Sequence, residues 1–118
     1  MTISPGTYDI TIYQGTTFNQ QFTWKDQNNA LVNLTGYTAR MMARAGIDSS
    51  TPFITLTTAN GGISLGGAAG TITLLMSDAS TSALVNGKGV YDLEVINGSG
   101  TVTRLLQGNI FISAEVTR

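Results

Sequence analysis

Apolar and polar residues alternate in steps of two along most of this chain. Between Tyr8 and Tyr13, the residues Tyr8, Ile10 and Ile12 share one side and Asp9, Thr11 and Tyr13 the other, the period of a half-buried strand. Gly15 interrupts the pattern, which resumes with Phe18, Gln20, Phe22 and Trp24 opposite Asn19, Gln21 and Thr23 and predicts a second strand. The run KDQNNA follows. Its Asp26, Asn28 and Asn29 are types that bond their own backbone and tolerate left-handed turns, so the chain is expected to reverse there.

The segment LTGYTARMMAR, from Leu34 to Arg44, admits two readings. Arg40 and Arg44, four apart, share one side of a helix and equally one side of a strand. A helix would have only the thin apolar stripe of Tyr37, Met41 and Ala45. Gly36 and Gly46 enclose about nine residues, fewer than the roughly 11 of a mean helix, and the aromatic and β-branched Tyr37 and Thr38 suit a pleated surface. The segment is therefore predicted as a strand with Tyr37, Ala39, Met41 and Ala43 inward and Thr38, Arg40, Met42 and Arg44 outward.

Beyond a loop from Gly46 to Pro52, FITLTT sets Phe53, Thr55 and Thr57 opposite Ile54, Leu56 and Thr58. Asn60-Gly61 is a strong turn signal, with short strands expected at Ile63 to Leu65 and Thr71 to Met76. SDASTSALV is the one helical candidate: Ser77 can cap it, Asp78 suits its positive end and Gly87 can stop it. Val90 to Ile96 alternates, NGSG turns the chain, and Val102 to Leu106 and Asn109 to Ser113 follow with Gly108 as the expected bulge. Seven to nine short strands with one helical turn predict an all-β fold. Its form is a single antiparallel β-sandwich of immunoglobulin-like type, with residues 1–118 as one domain.

Composition narrows the function. The chain has no cysteine and no histidine, which removes disulfides, thiolate metal sites, the commonest general base and the commonest metal ligand. No enzymatic activity, cofactor or metal is expected. Charged residues make up 11% of the chain, against roughly 25% in an average domain. Six Lys and Arg set against seven Asp and Glu cannot supply the clustered field that phosphates require, so nucleic acid is not an expected partner. A weakly charged surface associates readily, which fits life in an assembly. No apolar run reaches membrane-spanning length, and MTISPGTYDI lacks the pattern of a signal peptide.

Few residues offer chemistry. Asp92 and Glu94 lie two apart, on one face of a strand and roughly 6 to 7 Å apart by strand rise, a separation open to paired-carboxylate glycoside hydrolysis; the competing reading is two surface carboxylates above a core of Tyr91, Leu93 and Val95. A five-residue loop around NGSG would pair Leu93 with Leu105 and Glu94 with Arg104. Trp24, Phe18 and Phe22 could line a sugar site if exposed, but their shared face points to the core. The glycines of NGGISLGGAAG lack the ending and the long helix of a phosphate loop and read as turns. Arg40, Met42 and Arg44, with Tyr13, are the candidate protein-contact residues, since arginine, methionine and tyrosine are enriched at interfaces.

The succession Ile12, Tyr13, Gln14, Gly15 and Phe18, then Trp24, Asp26, and Leu34-Thr35-Gly36-Tyr37-Thr38-Ala39 followed by Arg40 and Arg44, resembles the N-terminal β-sandwich module of phage baseplate upper proteins. The ending VYDLEVINGSGTVTRLLQGNIFISAEVTR resembles the closing strands of such proteins. The resemblance implies a virion protein assembled in the host cytoplasm, whose partners are other virion proteins and copies of itself, and it supplies no catalytic residue. The chain is expected to be one such module, without a coiled-coil or receptor-binding extension. A tail, baseplate or connector component is thus expected, with capsid decoration or carbohydrate and receptor binding through Tyr13 as alternatives.

Overall fold

The computed structural model describes residues 6–85 and 87–116 and the backbone of Thr2–Ile3. Ten strands are assigned: β1 (Thr2–Ile3), β2 (Gly6–Thr7), β3 (Ile10–Tyr13), β4 (Phe18–Trp24), β5 (Thr38–Arg44), β6 (Ile54–Thr57), β7 (Ile63–Leu65), β8 (Thr71–Met76), β9 (Gly87–Ile96) and β10 (Val102–Ser113). A helix, α1 (Asp78–Ser82), links β8 to β9, and a single 3-10 turn spans Gly67–Ala69. The strands form two sheets: a four-stranded one in the order β1-β4-β8-β7, and a six-stranded one in the order β2-β10-β9-β5-β6 with β3 also on β10. Counting β1 to β3 as one broken first strand, this is the arrangement of an immunoglobulin-type sandwich with one additional strand, β6, on the second sheet.

The inner faces are those expected from the alternation. Phe22, Ile72 and Leu74 from the smaller sheet meet Ile12, Met41, Leu93, Val95, Leu105 and Ile110 from the larger, all essentially inaccessible. Each such side chain contributes roughly 1.5 to 3 kcal/mol on burial. Leu34 to Arg44 contains strand β5 and no helix, with Ala39, Met41 and Ala43 buried. Trp24 lies against the core with its ring edge-on to Tyr37 at 6.4 Å, and Tyr8 meets Phe22 in the same way at 5.4 Å. Trp24 and Phe22 are therefore packing groups, not a sugar platform.

Turn chemistry follows the sequence closely. Asp26 accepts from the N–H groups of Asn28 and Ala30, and Asn29 adopts φ 64°. Asn97 does the same for Ser99 and Thr101. Ser77 caps α1 by accepting from the Ser80 N–H. The helix ends at Ser82, short of the expected stop at Gly87, and buried Thr81 anchors it by donating to the Thr16 carbonyl at 2.7 Å.

Four expectations need correction. First, β10 is one continuous strand: its bulge falls between Arg104 and Leu106, and Gly108 stays in register opposite Tyr91. Adjacent Leu105 and Leu106 would otherwise point to opposite faces; the extra residue shifts the phase so that both are buried. Gly108 serves close approach, since a Cβ there would lie 2.5 Å from the Tyr8 carbonyl oxygen. Second, Leu93 consequently pairs with Leu106 and not Leu105, although Glu94 does lie opposite Arg104. Third, β9 starts at Gly87, ahead of the expected Val90. Fourth, the sandwich is not purely antiparallel. β2 and β3 run parallel to β10, and β1 runs parallel to β4, so the first segment of chain contributes to both sheets.

Candidate functional site

The outer face of the six-stranded sheet gathers six of the thirteen charged residues of the chain. Register places Arg40, Met42 and Arg44 of β5 beside Glu94, Asp92 and Val90 of β9, which in turn lie opposite Arg104, Gln107 and Asn109 of β10. One row lower on β9, Lys88 sits opposite Phe111, with its ammonium 5.9 Å from the ring centroid. Four of the six Lys and Arg of the chain thus share one surface. Strand alternation alone accounts for it, because β5, β9 and β10 each turn their polar positions to the same side.

Both carboxylates on this face have arginine neighbours. Glu94 accepts from Arg40 Nε at 2.8 Å, and Asp92 lies 3.6 Å from Arg104 Nε, which belongs to a guanidinium that also donates to Gln107 at 3.2 Å. The expected Glu94–Arg104 contact is replaced by these two crossed pairs. Arg44 instead donates to the Ser49 carbonyl at 3.1 Å and lies 3.7 Å from the Met42 sulfur. That bond draws the loop after β5 over the sheet and places Ile47, 87% exposed, at its rim. Beneath lies a concavity of about 540 Å³ lined by Met42, Arg44, Val90, Asp92, Arg104 and Asn109.

Tyr91 forms the inner support of this surface. Its buried hydroxyl donates to the Tyr8 carbonyl and so binds the first segment of chain to β9. Burial, followed by the proximity of Asp9 and then Tyr8, pushes its ionisation well above the ordinary tyrosine range, so it remains a neutral donor.

The candidate contact residues are only partly brought together. Arg40, Met42 and Arg44 lie in one column. Tyr13 is 60% exposed and opposite Ser113 at the far edge of the same sheet, with β9 and β10 between. Sequence reasoning missed Lys88, because the strand was expected to start after it, and Ile47, because a loop tip carries no periodicity. A second cleft of about 700 Å³ lies on the flank among Phe18, Phe53, Leu56, Met76 and Leu84. Among the described residues, no group of three or more Asp, Glu, His or Cys could hold a metal ion, and no helix is long and apolar enough to cross a membrane.

The other sheet contrasts sharply. Among the described residues its outward positions are Asn19, Gln21, Thr23, Ser64, Thr71, Thr73 and Leu75, without a charged side chain.

No family model matches the chain, and no curated protein matches it. Among solved structures, the chain is similar to the N-terminal domain of ORF48 from phage TP901-1, with TM-score 0.53 and 11% identity over 96% of this chain and 99% of that one. It is also similar to a chicken TCR, with TM-score 0.54 and 13% identity over 98% of this chain and 56% of that one. The chain therefore spans little more than half of the TCR chain it matches. At such identities the likeness is one of fold, and the fold is an immunoglobulin-like β-sandwich.

Proposed function

We propose that this chain is a non-enzymatic structural component of a tailed-phage particle, placed in the tail, baseplate or connector, where it contacts other virion proteins and further copies of itself. The observation that carries the reading is its similarity to nearly the whole of a phage protein domain, 96% of this chain on 99% of that one. The Trp24, Asp26 and Leu34 to Arg44 resemblance to baseplate upper proteins supports the same assignment. The contact surface is the outer face of the six-stranded sheet, where Arg40, Met42 and Arg44 stand. At about 4.8 Å between strands and 3.3 Å per residue, that face offers roughly 600 Å² of flat area, the lower limit per partner of a standard interface. The four-stranded sheet offers roughly 300 Å² on the same reckoning. Neither nucleic acid nor membrane enters this role.

Mass spectrometry and cryo-electron microscopy of purified particles test the assignment. The chain should appear at symmetry-equivalent positions with its larger sheet face covered. Particles that assemble fully without the chain would overturn it. A position on the outer capsid lattice would instead select the decoration role. The exposure of Tyr13 keeps one further reading open, glycan binding, which requires glycan-array signal that Tyr13→Ala abolishes.

A further inference from the structure

Among the described residues, two cations on the outer face of the six-stranded sheet lack a carboxylate partner. The ion pairs there join Arg40 to Glu94 and Arg104 to Asp92, and Arg44 and Lys88 belong to neither. Arg44 stands opposite Val90, so Lys88, two residues along β9, is its diagonal neighbour at roughly 7 to 8 Å. Its other diagonal neighbour on β9, Asp92, is turned to Arg104. The Arg44 guanidinium meets the Ser49 carbonyl and the Met42 sulfur, and the Lys88 ammonium meets the Phe111 ring, contacts that neutralise no charge. Asp48, exposed on the loop after β5, enters neither ion pair.

Like charges side by side on a sheet are unfavourable, and carboxylates brought by a partner relieve that. Apolar surface adjoins them: Met42, Val90 and the exposed Ile47 line the same concavity as Arg44. Acidic residues two apart on an extended segment project to one side at roughly 6 to 7 Å, close to the diagonal between Arg44 and Lys88. We propose that this corner of the sheet docks an extended acidic segment of another protein. Two carboxylates in the spacing Asp/Glu-x-Asp/Glu meet Arg44 and Lys88, and an apolar residue of the same segment rests on Ile47 and Met42. The occupant is not the same corner of a second copy, which would bring like charge to like charge. The inference rests on the reading of this face as a contact surface and names the chemistry of the partner.

A nuclear magnetic resonance titration of the purified full chain tests it without particles, so a failure here leaves the virion assignment standing. The probe is the blocked peptide Glu-Thr-Glu-Thr-Leu. One control carries lysine in place of both glutamates, and the other, Thr-Glu-Glu-Thr-Leu, sets the glutamates side by side. The probe should shift the amide signals of Arg44, Lys88 and their neighbours, more weakly at high salt. The lysine control should give no shift, and the second control should bind less tightly than the probe. Arg44→Gln and Lys88→Gln should stay folded by circular dichroism, each weaken binding about five-fold, and together abolish it. Absent shifts, shifts centred on another surface, equal binding of either control, or unchanged affinity in Lys88→Gln overturns the proposal. If Arg44→Gln fails to fold, the exposed Lys88 decides alone. A wild-type chain that dimerises in light scattering, and loses the dimer in Lys88→Gln, puts a second copy in the place of the acidic segment and overturns it as well.

Discussion

On the larger sheet Arg40, Arg44, Lys88 and Arg104 stand with Asp92 and Glu94; on the smaller, Asn19, Gln21, Thr23, Ser64, Thr71, Thr73 and Leu75 present amides, hydroxyls and one apolar side chain. The two inner faces, by contrast, are alike in chemistry and burial. Folding therefore treats the sheets as equals, while the environment meets two different surfaces. The charged one is wide enough to anchor a partner and carries groups that reward one orientation over another. The uncharged one is narrow and neutral to orientation.

Three measurements can break or sharpen this contrast, in falling order of effect. Leu93→Ala on the larger sheet and Leu74→Ala on the smaller should each lose about 2 to 5 kcal/mol in urea denaturation; a loss confined to one sheet would show that the core is not shared. Next, Tyr91→Phe should lose about 1 to 3 kcal/mol, because the Tyr8 carbonyl beside Gly108 is left without its donor. The pH dependence has a defined sign. Tyr91 ionises less readily folded than unfolded, so its contribution is intact below the ordinary tyrosine pKa of about 10 and falls as pH rises beyond it. In Tyr91→Phe that alkaline decline should be shallower. Last, Glu94→Gln should cost about 0 to 1 kcal/mol, less at high salt, since Arg40 is 48% exposed. Gln21→Ala on the opposite face should stay within about 0.5 kcal/mol and show no salt dependence.

The sequence revealed whatever depended on local period. The strand at Arg40 to Arg44, the Asp26 and Asn97 turns and the Ser77 cap follow from neighbours a few residues apart. The bulge was also written there, in the adjacent Leu105 and Leu106 that break a two-residue period, whereas Gly108, a bulge residue by type, stays in register. Other features were settled by distant segments. Nothing in Gly6–Thr7 or Ile10–Tyr13 announces parallel pairing with β10, because the partner lies about 100 residues further along the chain. Glu94 has an arginine opposite it on each side, Arg40 on β5 and Arg104 on β10, so register permits both pairs and side-chain geometry selects one. Asn60 was legible as a turn residue, whereas its hydrogen bonds to Thr55 and Thr57 needed the strand edge in place.

Parallel pairing of β3 with β10 has a mechanical consequence. The chain enters this pair from one end of the sandwich and leaves β10 at the other, so tension drawn through the two ends acts along the strands. The register pairs from Ile10 with Ile110 to Tyr13 with Ser113 are then loaded in shear and share the load, whereas a hairpin pulled from its open end unzips one bond at a time. A domain built in this way resists tension applied along these strands more strongly than a hairpin of the same length.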